Sequence, residues 1–268
     1  MRLFMLWTLL AGCAEGAVEG TGTQRPPPVW TPGPGTTWQW QLLGAIDTTV
    51  DVDMYDIDLF DAPQAVIDAL HADGRIVICY FSAGSWENWR PDVAAFPVAT
   101  RGRNLAGWAG ERWLDVRSPA VRAALADRLD YAVQRGCDGV EPDNVDGYTN
   151  RTGFPLTGAD QLDFNAWLAD EAHARGLSVG LKNDVGQTAA LEPLFDWALN
   201  EECFQYQECD TLAPFVNAGK AVFHVEYPAS RRQATALANQ VCGAGLPFST
   251  LIKPLNLTAP RIDCAAWP

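Results

Sequence analysis

Three carboxylates fall within six residues in Cys137-Asp-Gly-Val-Glu-Pro-Asp-Asn-Val-Asp-Gly-Tyr148, namely Glu141, Asp143 and Asp146. Gly139-Val140 reads as the tail of a buried strand, and Pro142 and Gly147 are poor company for a strand or helix that continues. The acids therefore sit where a strand gives way to a loop, which is where alternating β/α chains assemble their sites. The competing reading is an Asp-rich turn whose carboxylates cap backbone N–H groups or hold a structural cation. Other predicted strand ends carry polar groups too: Asp58, Ser82, Asn183, Glu201 with Glu202, and Glu226 with Tyr227. Paired carboxylates among aromatics are the equipment of glycosidic bond hydrolysis. One acid protonates the leaving oxygen while the other attacks carbon or activates water. The 11 tryptophans and 6 tyrosines offer stacking platforms, although most tryptophans must serve the core or its rim.

Other chemistries fit poorly. The chain has 3 histidines. His71 and His173 fall in helical segments and His224 in mid-strand, so no three-histidine zinc site is available. A Ser–His–Asp triad would have to recruit His224 without a nucleophile elbow. No Gly-x-Gly-x-x-Gly or phosphate-binding loop follows a strand, which argues against a nucleotide enzyme. No cofactor is implied, and the metal alternative is a structural cation near Asp143 and Asp146.

The elements that must position these acids alternate. Strand-like runs occur at Trp38–Leu42, Met54–Phe60, Arg75–Ser82, Trp113–Val116, Leu177–Asn183, Phe195–Glu202, Ala221–Tyr227 and Phe248–Ile252. Helical stretches lie between several of them. One runs from Pro63 to Ala72. Another starts at Ser118-Pro119, an N-cap and a first-turn proline, carries the apolar stripe Val121, Leu125, Leu129 and stops at Gly136. A third opens on Thr157-Gly-Ala-Asp160, which resembles a capping box, and ends at Gly176. The last long helix spans Ser230 to Val241. Eight or nine short strands interleaved with helices predict an α/β fold with a parallel sheet, and their even spacing favours a closed (β/α)8 barrel in one domain, residues 37–268.

The amino terminus differs in kind. Residues 1–13 carry one positive charge, a short apolar run and Leu10-Ala-Gly-Cys13, which resembles a bacterial lipoprotein signal with Cys13 as the lipid-bearing residue. An ordinary signal peptide cleaved near Ala14 or Ala17 is the alternative. Residues 14–36 are rich in Gly, Pro and Thr and read as an extended tether. Export is expected, with attachment to a membrane only through that lipid. Six cysteines remain beyond Cys13; Cys203 with Cys209 and Cys242 with Cys264 are plausible bridges, while Cys79 and Cys137 are buried thiols or a third. The formal charge of −14 disfavours nucleic acid and anionic lipid and would attract a polycation. A monomer is expected.

Several blocks in order carry a more specific signal. These are Trp38-Gln-Trp-Gln-Leu42, Cys79-Tyr-Phe-Ser-Ala-Gly-Ser-Trp-Glu-Asn-Trp-Arg-Pro-Asp92, Glu111-Arg-Trp-Leu-Asp-Val116, the acidic stretch, Gly180-Leu-Lys-Asn-Asp184, Asn200-Glu-Glu-Cys-Phe204 and Val225-Glu-Tyr227. Together they resemble glycoside hydrolase family 114, the endo-α-1,4-polygalactosaminidases. The resemblance implies a (β/α)8 barrel acting on α-1,4-linked galactosamine polymer, a cationic amino-sugar polysaccharide when de-N-acetylated. It places the catalytic pair on Asp143, as nucleophile or charge stabiliser, and Glu201, as general acid/base. Strand parity agrees only for the first. Glu141 and Asp143 share one face, but Phe195, Trp197 and Leu199 read as helix-facing, which would turn Glu202 inward instead of Glu201 unless a bulge intervenes. Gln41, Asp58, Tyr80, Lys182, Asn183, Glu226 and Tyr227 are candidates for holding sugar hydroxyls and amines, with Glu141 and Glu202 beside them. Hydrolysis of another amino-sugar polymer, or polysaccharide binding without catalysis, are the competing functions.

Overall fold

The computed structural model describes residues 29–268, so the signal-like segment and Cys13 lie outside the described residues. Eight parallel strands hydrogen-bond in chain order: β1 (Trp38–Gln41), β2 (Met54–Asp58), β3 (Ile76–Ser82), β4 (Gly139–Asp143), β5 (Ser178–Lys182), β6 (Trp197–Glu201), β7 (Val222–Glu226) and β8 (Ser249–Ile252). The helices are α1 (Gln64–Ala72), α2 (Pro119–Arg135), α3 (Gly158–Ala174), α4 (Thr188–Leu191), α5 (Cys203–Tyr206), α6 (Ala213–Asn217) and α7 (Ala234–Val241). This is the TIM-type barrel expected from the alternation. The short antiparallel segment Ile262–Asp263 adds to β8.

The seam between β8 and β1 is closed by side chains. Trp38 Nε1 donates to the Ser249 carbonyl at 2.9 Å, and Ser249 Oγ donates to the Thr36 carbonyl at 2.7 Å. Arg261 donates to the Trp38 carbonyl, and Lys253 Nζ reaches Gln39 Oε1 at 3.2 Å.

Two apolar layers form because every barrel strand buries both faces. Inside the barrel, Trp38, Trp40, Met54, Ile78, Trp197, Leu199, Phe223, Val225 and Leu251 form one cluster. Outside it, Tyr55, Val77, Cys79, Phe81, Val140, Val179 and Ala198 pack against Val121, Leu125, Leu129, Phe164 and Leu168 of α2 and α3. The interior is crowded by indoles: Trp38 lies 4.9 Å and Trp197 5.4 Å from Phe223, ring centre to ring centre. Gly180 makes room for them, since a Cβ there would sit 2.2 Å from the Trp197 ring. Trp197 and Leu199 point inward, so the parity read from the sequence is reversed and Glu201, not Glu202, faces the lumen. The reason is physical: a strand buried on both faces has no polar side to reveal its register.

Helix ends follow local chemistry. Thr157 and Asp160 form the expected reciprocal capping box, the Thr157 hydroxyl accepting from the Asp160 N–H. Gly136 ends α2 in the left-handed region at φ 81°. Ser118 makes no side-chain cap, so the Pro119 ring sets that helix start.

One expectation is corrected. The strand expected at Trp113–Val116 is not a barrel strand. It runs Glu111–Leu114 and belongs to a separate antiparallel sheet with Ser85–Glu87 and Arg101–Asn104, all inserted between β3 and α2. Within the stretch expected as a tether, Trp30 packs against the interior cluster and the Pro32 carbonyl accepts the Ala221 N–H at 3.0 Å, so these residues belong to the fold. Three disulfides are present, Cys79–Cys137, Cys203–Cys209 and Cys242–Cys264, the first joining β3 to the approach to β4.

Candidate active site

Asp143, Lys182 and Glu201 end three adjacent strands, β4, β5 and β6, at the carboxyl mouth of the barrel. Each strand is followed at once by left-handed backbone: Asn144 at φ 61°, Asn183 at φ 48° with Asp184 at φ 43°, and Glu202 at φ 63°. Asn and Asp visit this region at modest cost, whereas Glu does so only when its surroundings enforce it. The turn at Glu202 ends the strand sharply after Glu201. The Asp143 carbonyl accepts N–H groups from Ala83 and Gly84 at 2.9 and 3.0 Å. Only glycine fits at 84, where a Cβ would fall 1.7 Å from the Asn144 carbonyl oxygen.

One ammonium ties the acids together. Lys182 Nζ lies 2.8 Å from Glu141, 3.1 Å from Asp143 and 3.3 Å from Glu201, and 4.7 Å above the Trp40 ring. Burial works against the charge on Lys182, but Asp143, Glu141 and Glu201 outweigh it and hold its pKa well above the ordinary lysine value. Asp143 also accepts from the Tyr80 hydroxyl at 3.1 Å and from Asn144 Nδ2 at 3.3 Å. Glu201 accepts from the Tyr227 hydroxyl and from Asn183 Nδ2 at 3.2 Å, while its own N–H is held by Asn183 Oδ1 at 2.9 Å.

Above these groups opens a groove of about 830 Å³. Its walls include Tyr80, Asp143, Asp146, Lys182, Asn183, Asp184, Glu201, Glu202 and Tyr227. The inserted sheet and its loops add Glu87, Trp89, Arg90, Trp108 and Glu111. The exposed apolar side chains Leu43, Trp89, Trp108, Tyr206 and Leu255 all stand on this rim. The acids differ in burial. Burial pushes Asp146 up to about 6 and Asp184 to about 7, each reinforced by a neighbouring carboxylate.

Glu141, Gln41, Glu226 and Asp58 take other places than those expected. Glu141 is fully buried beneath the groove, its second oxygen taken by Trp40 Nε1 at 3.0 Å, and burial pushes it up to about 7 despite Lys182. Next to it, burial and the Glu141 charge push Asp56 well above the ordinary carboxylate range. Gln41 does not line the groove; it staples the following loop through the Leu43 and Ala45 carbonyls and the Asp47 N–H. Glu226 points outward, accepting from Phe204 N–H at the start of α5 and pairing with His224 at 3.0 Å. Asp58 is at the wall but committed to a two-point pair with Arg90 at 2.8 and 2.6 Å.

The sequence reading missed Glu111, Asp184, Trp89, Trp108 and Asp56 as members of this neighbourhood. Glu111, Trp89 and Trp108 stand within or beside blocks quoted above, but nothing in their spacing tells that an inserted sheet folds over the mouth; Asp184 lies two residues past the end of β5. Asp56 alternates with apolar neighbours in β2, and a buried acid leaves no mark in the sequence distinct from a solvent-facing one.

The chain is 46% identical to Ega3 of Aspergillus fumigatus, whose crystal structure is a complex with galactosamine, with a TM-score of 0.84 over 89% of this chain and 98% of that one. The glycoside hydrolase domain of PelA from Pseudomonas aeruginosa shares the fold at 15% identity, with a TM-score of 0.65 over 86% and 98% of the two chains. An uncharacterized protein of Deinococcus radiodurans is 28% identical across 90% of this chain and 92% of its own length. The model of glycoside-hydrolase family GH114 matches residues 19–266, so the chain belongs to that family and is a glycosidase.

Proposed function

We propose that this protein is an exported hydrolase of α-1,4-linked galactosamine-rich polysaccharide, with Asp143 as nucleophile and Glu201 as general acid/base. The observation that carries the reading is the pair of acids from β4 and β6 meeting at one ammonium on the floor of an open groove. Tyr80, Lys182 and Asn144 donate to Asp143 and fix its oxygens. Such donors hold a carboxylate in place for attack on the anomeric carbon. Tyr227 and Asn183 orient Glu201, which gives its proton to the leaving oxygen and then takes one from water.

A nucleophilic Asp143 makes two successive displacements at the anomeric carbon, so the proposed roles entail retention of configuration. The substrate class is supported by the acidic groove and by the 46% identity to a protein crystallised with galactosamine. Export is supported by the three disulfides, and Leu10-Ala-Gly-Cys13 supports lipid attachment in the same reading.

The test is digestion of α-1,4-galactosamine oligomers, read by mass spectrometry, with the anomeric form of the first product read by NMR. Shorter fragments with the α configuration are expected, and Asp143→Asn and Glu201→Gln should each lose about 10²–10⁴-fold or more in rate with unchanged fold. Full activity in Asp143→Asn would end the proposal.

A further inference from the structure

Glu111 stands apart from the groups that hold Asp143 and Glu201, yet it opens onto the same groove. It comes from the inserted sheet, on the strand Glu111–Leu114, and is 6% exposed. One carboxylate oxygen, Oε2, accepts the Ser85 hydroxyl at 2.6 Å. The other, Oε1, has no hydrogen-bond partner among the described residues, and no Lys or Arg lies within salt-bridge distance of Glu111 among them. Oε1 is not among the sealed oxygens without a partner, so it is the oxygen that Glu111 leaves open to the groove and to a ligand there.

The neighbours explain why the group is primed. Burial pushes Glu111 up to about 7, and Glu87 and Asp143 add to the push while Ser85 and Arg90 oppose it. Arg90 does not settle the matter, because it is spent on Asp58 and Glu87. An ammonium group reaching Oε1 would supply both the missing donor and the missing charge. The same inserted segment lends the groove two aromatic side chains, Trp89 at 49% and Trp108 at 51% exposure, and indole faces favour cations.

Glu111 also reads into the reacting centre. Ser85 Oγ lies 2.7 Å from Ser82 Oγ, which accepts Asn144 Nδ2 at 2.9 Å, and Asn144 Nδ2 is also 3.3 Å from Asp143 Oδ2. A chain of four contacts thus runs from Glu111 to Asp143.

Resting on the proposed function, we infer that Glu111 is the specificity residue that binds the free amine of a sugar in the groove and so separates de-N-acetylated from N-acetylated units. An acetamide cannot replace the amine, since its single N–H brings no charge and its methyl would press on a buried carboxylate.

The test compares binding of galactosamine, N-acetylgalactosamine and galactose by titration calorimetry, alongside cleavage of de-N-acetylated and partly acetylated oligomers. Glu111→Gln keeps an oxygen for Ser85 and removes the charge. It should cut the preference for galactosamine over galactose at least about tenfold, and lower kcat/KM on the de-N-acetylated oligomer without lowering it on the acetylated one. Ser85→Ala severs the chain but spares the carboxylate, so it should lower kcat on both oligomers and leave the binding preference intact. An unchanged preference in Glu111→Gln, or equal losses on both oligomers, would overturn the assignment. Failure of the hydrolase reading is distinguishable: it would show as no cleavage by the wild-type protein with the Glu111-dependent preference retained.

Discussion

Replacing Lys182 by methionine removes one charge and little volume, and the structure says where the loss lands. Glu141 is fully buried, and it meets Lys182 at 2.8 Å, Trp40 at 3.0 Å and the side chain of Asp56, so Lys182 is its one cationic partner among the described residues. Removing one partner of a buried ion pair costs about 3–5 kcal/mol, because the other charge stays behind unpaired. For a domain of this size that is a fall in Tm of about 6–20 °C. The cost must depend on pH. Glu141 already sits at about 7 in the native protein, above its ordinary value, so its contribution to stability is full at low pH and lost as pH rises through 7. Without Lys182 the folded value climbs further, and the loss continues at higher pH. Thermal unfolding at pH 5 and pH 8 should therefore show a narrow gap between wild type and Lys182→Met at pH 5 and a wide one at pH 8. Hydrolysis should fall at least about 100-fold, since Asp143 and Glu201 lose their shared anchor. A Tm gap that is the same at both pH values would refute this account of the buried pair.

Other outcomes follow from the same geometry. Asp184 and Glu111 are both held at about 7 by burial, so the free protein should be more stable at pH 5 than at pH 8; Asp184→Asn should shrink that difference by about 3 kcal/mol at most, read by denaturant titration. The disulfides close loops of 58, 22 and 6 residues, so removing Cys79–Cys137, Cys242–Cys264 and Cys203–Cys209 in pairs should cost about 4, 3 and 2 kcal/mol. A different ranking in thermal unfolding would show that native strain outweighs chain entropy. Trp108→Ala should raise KM for long oligomers about 3- to 10-fold while sparing the shortest cleavable ones, because a rim indole stacks only on a distant sugar.

Much of this architecture is legible in the residues themselves. Buried runs bounded by Gly and Pro mark the strands, and Pro119, Gly136 and the Thr157–Asp160 box mark helix ends. What escaped was face. In β6 the apolar Trp197, Ala198 and Leu199 leave no polar side, so the register that turns Glu201 inward is decided by how indoles fill the barrel. Gln41 and Glu226 escaped for a related reason: a strand-end polar residue reads the same whether it meets ligand or braces a loop. Glu111 needed the inserted sheet, whose placement over the mouth depends on contacts far apart in the chain.

The side-chain seam between β1 and β8 has a consequence for biosynthesis. A nascent chain leaves the ribosome with β1 first, while Ser249, Lys253 and Arg261, which latch its outer edge, come last. The first strand must wait nearly the whole length of translation, or translocation, before its edge is covered. Trp38 spends that interval without Phe223 and Ser249 beside it, so the first strand of the barrel reaches its final packing only when the last one arrives.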